Sequence, residues 1–129
     1  MTIFTKIIHG EIPCYKVAET EKFLAFLDVF PLAKGHVLVI PKTETDYIFD
    51  VENEEYAELF LFAKKVAKAL KKSVPCIKVG VSVIGLEVPH AHIHLIPMNQ
   101  VNDMNFSKSK LSFPKDEMEQ IAALISSNL

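Results

Sequence analysis

The order of patterned segments predicts an antiparallel α+β fold, with a sheet of about five strands and two main helices in one domain over residues 1–129. Apolar segments of strand length follow one another instead of alternating with helices. A single long helical pattern interrupts them, and a second closes the chain. At 129 residues, half of them apolar, the chain is long enough to bury a real core. No linker, repeat or low-complexity segment divides it.

Lys22 to Asp28 and Val37 to Ile40 read as strands, with Phe30 to Gly35 turning between them as a hairpin. A helix opens at Val51 or Asn53, capped by Asp50 or Asn53. Tyr56, Leu59, Phe60, Ala63, Val66, Ala67 and Leu70 keep to one face at helical spacing. Glutamates near the start and Lys68, Lys71 and Lys72 near the end suit the helix dipole. Leu61 lies opposite the stripe and Phe62 widens it, which suggests a second buried surface; a lone exposed leucine is the plainer reading. Ile77 to Ile84 reads as a strand, Gly85 breaks it, and Val88 to Pro97 completes a second hairpin. Ser112-Phe113-Pro114 starts the last helix, whose apolar face is Met118, Ile121, Ala122 and Ile125.

The net charge of −2 offers no broad footprint for a nucleic-acid backbone. Lysines on the long helix, and Lys108 and Lys110 beyond it, read as solvated surface. Residues 1–16 hold no apolar core of signal-peptide length, and no run approaches the roughly 20 apolar residues of a membrane span. Two isolated cysteines, Cys14 and Cys76, fit a reducing cytoplasm.

The densest information lies in Pro89-His90-Ala91-His92-Ile93-His94-Leu95-Ile96-Pro97. Three imidazoles on alternate positions point one way from a strand, about 6.5–7 Å apart, while Ala91, Ile93 and Leu95 point the other. Three readings stand: a half-buried strand whose polar face happens to be histidine, a metal site completed by Glu87 or His36, or nucleophilic catalysis by one imidazole with its neighbours positioning the substrate.

Context favours the third. His90-Ala91-His92-Ile93-His94-Leu95-Ile96 resembles the signature of the histidine triad (HIT) family of nucleotide hydrolases and transferases, three histidines separated and followed by apolar residues. The segments 3–13, 24–31, 35–42 and 85–89 resemble the family's other segments in family order, most closely its small single-domain branch. The resemblance implies a HIT-like fold, a homodimer built through the long helix and an adjoining strand, and a purine nucleotide substrate without cofactor. It implies cleavage of a nucleoside monophosphate from a leaving group, as in a phosphoramidate or an adenylate. His92 is then the nucleophile, with His90 and His94 binding or protonating the phosphate, and His36 the family's additional histidine. Asp28 matches the residue that accepts from ribose hydroxyls, and Phe26 and Val29 match positions lining the base pocket. On their own, Asp28 reads as a turn-initiating residue and His36 as a satisfied turn histidine. No Walker loop occurs, so the phosphate is left to imidazoles and backbone N–H groups.

The chain departs from the family at three places. Thr2, Thr5 and Glu44 stand where some bacterial relatives carry zinc ligands, so no structural zinc is expected. Val79 stands where many members place an asparagine near the phosphate, leaving Ser82 as the side-chain donor between Lys78 and Gly85. Glu87 replaces a Ser or Thr, facing either solvent or a cationic leaving group. Two alternatives remain on this reading: asymmetric cleavage of a dinucleoside polyphosphate, and a nucleotide-sensing binding module with weak catalysis. A cupin-like oxygenase would need a second histidine motif after His94, and there is none.

Overall fold

The computed structural model describes residues 1–129. A five-stranded, wholly antiparallel sheet runs in the order β1-β2-β3-β5-β4, formed by Lys16–Glu19 (β1), Phe23–Leu27 (β2), Val37–Pro41 (β3), Lys78–Ser82 (β4) and Ile93–Met98 (β5). The short helix α1 (Ile3–Ile8) precedes the sheet, α2 (Asn53–Ser73) lies between β3 and β4, and α3 (Lys115–Ser127) closes the chain. The expected α+β architecture is therefore the observed one. No helix is long and apolar enough to cross a membrane.

Period-two alternation divides the strands between two faces. Phe23, Ala25, Leu27, Val37, Val39, Ile93 and Leu95 point toward α2 and α3. There they join Leu59, Ala63, Val66, Leu70, Met118, Ile121, Ala122 and Ile125 in the main core. Leu24, Phe26, Leu38 and Ile40 point the other way and gather with Phe4 of α1 in a smaller cluster. The last helix buries the four residues its spacing picked out.

Several expectations are corrected. The long helix starts at Asn53 with Glu52 as its cap, because the Glu52 carboxylate accepts from the Glu54 N–H. Phe62 is half-buried against Phe23, ring centroids 5.6 Å apart, so Leu61 alone of that pair remains exposed. The strand expected over 77–84 contracts to Lys78–Ser82, and the one expected over 88–97 begins only at Ile93. Pro89 has no N–H to give a ladder, and the Ala91 N–H is taken by Thr45 O, so residues 88–92 run beside the 42–46 loop rather than in the sheet.

Candidate active site

The histidines lie on the sheet face away from α2 and α3. His94 is the one triad member inside a ladder, flanked by Leu38 of β3 and Ser82 of β4. His92 and His90 stand just before β5, where the His90 N–H turns back to Val88 O, and the Phe4 ring packs edge-on against both, 5.0 and 5.7 Å between centroids. The His92 and His94 rings are 4.9 Å apart, closer than the strand repeat alone implies, because the rings tilt toward each other. All three are buried, as is His36. His36 arrives from the β2–β3 turn, where Gly35 takes φ +88°; a side chain there would meet Val74 and Leu70 at 2.9 and 3.1 Å.

Backbone groups fix the hydrogens on these rings. His92 Nδ1 is 2.7 Å from the His90 carbonyl oxygen, which only accepts. Nδ1 therefore carries the hydrogen, and Nε2 of the neutral ring keeps its lone pair free. A second chain starts at the Leu32 N–H, which donates to His36 Nδ1 at 3.0 Å. His36 must then carry its hydrogen on Nε2, which donates to His94 Nδ1 at 3.0 Å. That leaves His94 with a hydrogen on Nε2. One imidazole presents a lone pair and its neighbour an N–H, an arrangement chemically able to supply an attacking nitrogen beside a hydrogen-bond donor.

Burial supports the neutral forms. Desolvation, with the neighbouring His94, Lys110 and His92 charges, holds His36 down to about 3. Desolvation and His92 hold His94 at about 4. His92 is also lowered, chiefly by burial, while the bond to the His90 carbonyl and the Glu87 charge pull the other way. Asp28 is raised by burial, against the opposing effects of the Phe30 N–H and Lys110.

The other expected residues divide. Asp28 stands at the end of β2 with one oxygen taken by the Phe30 N–H in a local turn; the other lies 3.6 Å from His36 Nε2. Because His36 is neutral, that contact is not an ion pair. Phe26 is buried under Phe4, 5.7 Å between centroids, and forms a floor rather than a free stacking surface. Val29 is exposed beside Asp28. Ser82 Oγ is buried next to His94 and has no hydrogen-bond partner. Val79 packs with the main core on the opposite face, so the residue aligned with the family asparagine does not point at the site. Glu87 is exposed on the loop before His90 and reaches His92 only through its charge. His90 has no free ring nitrogen: Nε2 meets Pro41 O at 2.8 Å and Nδ1 meets Thr2 Oγ1 at 2.9 Å. In this structure neither ring nitrogen of His90 is open to a phosphate, and its carbonyl accepts from His92 Nδ1.

The strap over 105–111 was missed. The Phe106 ring covers His94 at 4.8 Å and His36 at 6.4 Å. Leu111 N–H to Pro31 O ties the strap to the β2–β3 turn, and the Lys110 charge reaches Asp28 and His36. Lys110 is exposed, its ammonium bonded to the Phe106 and Lys108 carbonyls, on the strap that covers His94.

A HIT domain model matches residues 9–101. The chain belongs to the HIT family. It is 34% identical over 129 residues to the adenosine 5'-monophosphoramidase hnt1 of Schizosaccharomyces pombe, covering 98% of this chain and 97% of that one. It is 38% identical over 102 residues to protein hit of Bacillus subtilis, covering 74% and 69%. Among solved structures it superposes on a Hit-like protein involved in cell-cycle regulation from Bartonella henselae with TM-score 0.86 and 31% identity, over 99% and 96% of the two chains. A zinc-bound histidine triad protein from Mycobacterium smegmatis matches with TM-score 0.79 and 27% identity, over 98% and 91%.

Zinc does not fit the corresponding positions of this HIT protein. Thr2 and Thr5 offer hydroxyls 3.1 Å apart, and one Glu44 oxygen accepts from both the Thr2 N–H and the Thr5 hydroxyl. Such hydroxyls are poor replacements for thiolates. Asp28, His36 and His94 do bring ligand-type atoms within 4.8 Å of one another. The proton order opposes that grouping as a cation site, because His36 Nε2 already carries the hydrogen that His94 accepts.

Proposed function

We propose that the protein splits a nucleoside monophosphate from its leaving group through a nucleotide bonded covalently to His92. The observation that carries this is the pair of opposed rings: His92 with a free Nε2, fixed by the His90 carbonyl, beside His94 with an Nε2–H, fixed through His36 by the Leu32 amide. The Nε2 lone pair attacks phosphorus, and the bond to the leaving group breaks as the bond to His92 forms. A leaving amine departs neutral, with its proton drawn from water. Water then attacks phosphorus, the bond to His92 breaks, and the proton lost by that water passes to solvent. His94 donates to a phosphate oxygen throughout, strengthened by its water-poor surroundings.

The substrate class we propose is a purine nucleoside phosphoramidate or an adenylate, which the kinship with an adenosine monophosphoramidase supports. Asp28 then accepts from the ribose, Phe26 and Val29 border the base, and Ser82 and Lys110 meet the phosphate. Glu87 faces a separate cationic group on the leaving part, such as the amino group of an aminoacyl adenylate. Rapid quench with labelled adenosine phosphoramidate should trap an acid-labile, base-stable adduct on His92, as a phosphoramidate bond requires. A label on another residue, or turnover with no adduct at any time point, rejects the scheme.

We also propose that two chains pair. β4 is an edge strand with Val81 exposed, and Leu61 projects from α2 at 65% exposure. Burying these groups across a two-fold axis removes apolar surface and an open ladder from water. Light scattering at micromolar concentration should give twice the chain mass, and Leu61→Glu should shift it toward one.

A further inference from the structure

We propose that Thr2 is a positioning residue for the nucleophilic imidazole, acting through the ring of His90; this rests on the reading of His92 as nucleophile. His90 Nε2 lies 2.8 Å from the Pro41 carbonyl oxygen, so Nε2 carries a hydrogen and Nδ1 is left to accept. The atom facing Nδ1 is Thr2 Oγ1, at 2.9 Å. Thr2 has one hydroxyl hydrogen and two acceptors within reach, His90 Nδ1 at 2.9 Å and Thr5 Oγ1 at 3.1 Å; Nδ1 is the nearer of the two and faces no other donor. The Thr5 N–H donates to Thr2 Oγ1 at 3.1 Å, and the Thr5 hydroxyl gives its own hydrogen to Glu44. The same Glu44 oxygen holds the Thr2 N–H at 2.9 Å. Hydrogens therefore run in one direction, from Thr2 to His90 to Pro41.

The ring clamped this way belongs to the residue whose carbonyl accepts from His92 Nδ1 at 2.7 Å. His90 is fully buried, and Phe4 packs on both rings. With Val at position 2, His90 Nδ1 is a buried acceptor with no partner and the ring gains by turning; with an ionised Asp there, the ring gains by carrying a hydrogen on Nδ1. The peptide at residue 90 then loses its fixed setting, and His92 loses the bond that keeps Nε2 free. Segments 88 and 49 residues from His90 in sequence are thus joined to the nucleophile through two hydrogen bonds on one ring. The Pro41 carbonyl sets which nitrogen of His90 carries the hydrogen, and the Thr2 hydroxyl satisfies the nitrogen that is left to accept.

Thr2 also caps α1, so the test must separate capping from donation. Asp accepts as a helix cap but has no hydroxyl to donate when ionised, whereas Ser does both. The full chain and its Thr2→Ser, Thr2→Val and Thr2→Asp variants are compared for turnover of adenosine phosphoramidate, AMP affinity and ring ¹⁵N shifts. Thr2→Ser should match wild type. Thr2→Val and Thr2→Asp should lose about tenfold in kcat with AMP affinity unchanged, and their His90 and His92 ring nitrogens should leave the single-tautomer pattern. Wild-type kcat in Thr2→Asp overturns the proposal, as does a kcat loss with unaltered ring shifts. Should Thr2→Val not fold, Thr2→Asp decides. His92→Asn, run alongside, separates this proposal from the reading beneath it. If that variant is inactive while Thr2→Asp is normal, only the Thr2 assignment fails. If it turns over normally the nucleophile assignment fails, and the ring shifts still report the Thr2–His90 bond.

Discussion

On the face of the sheet that α2 and α3 cover, every position contributed by β2, β3 and β5 to the main cluster is apolar, and none of its members can titrate. On the opposite face β2 and β3 carry Leu24, Phe26, Leu38 and Ile40, and beside them lie His94 of β5, Ser82 of β4, and Asp28 and His36 from the turn between β2 and β3. The first face is closed by α2 and α3, whose apolar residues join its core. The second is closed only by the short α1 and the strap through Phe106. The contrast separates two uses of burial. One removes hydrocarbon from water and stabilises the fold. The other removes water from imidazoles, which holds them neutral and makes each hydrogen bond on them consequential.

The largest expected effects exchange the two faces. Leu70→Ala empties space in the helix-covered core and should lower stability by about 2–5 kcal/mol, with turnover per folded molecule near wild type. His92→Asn should do the reverse, leaving denaturant midpoints nearly unchanged while kcat falls on the order of 10³-fold or more. If His92→Asn unfolds the protein as readily as Leu70→Ala, the division between faces is wrong.

Both faces were largely legible in the sequence, for different reasons. Met118, Ile121, Ala122 and Ile125 recur at helical spacing, and the triad recurs at strand spacing; periodicity is local and needs no partner. What the triad would be bonded to was not legible. His90 meets Thr2 and Pro41, far away along the chain, so nothing near the motif signalled that its ring was fully occupied. Lys110 failed to stand out for a similar reason: a strap beyond the strands is placed by one backbone bond, Leu111 to Pro31, that no pattern encodes. The start of β5 differs because the alternation of histidine with apolar residues continues through 90–92, where the chain turns and the Ala91 N–H goes to a loop instead of a ladder.

A smaller effect, spread over pH, sharpens the comparison. His36 and His94 titrate at about 3 and about 4 when folded, and both sit near 6.5 when unfolded. Below pH 6.5 the unfolded chain binds protons that the folded chain refuses, so stability rises with pH in that range. Their contribution should be complete above about pH 6.5 and lost progressively as pH falls toward the folded values. Urea midpoints taken from pH 8 down to pH 4 should decline in wild type and flatten in a His36→Asn, His94→Asn double variant. An equally steep decline in that variant would place the pH dependence elsewhere, for which no member of the main core is a candidate.

The smallest effect concerns Ser82, where the two uses of burial meet in one atom. Its hydroxyl is buried on the site face beside His94 and bonds to nothing, so it brings a desolvation cost to the fold and no compensating contact. Ser82→Ala should therefore leave stability unchanged or raise it slightly. If the hydroxyl is held in reserve for a phosphate oxygen, the same change should lower kcat/KM by about fivefold, the ~1 kcal/mol typical of one neutral hydrogen bond. Measuring both quantities on the same preparation decides the matter. Stability lost with kcat/KM intact would make Ser82 part of the scaffold, whereas kcat/KM lost with stability intact places it against the substrate.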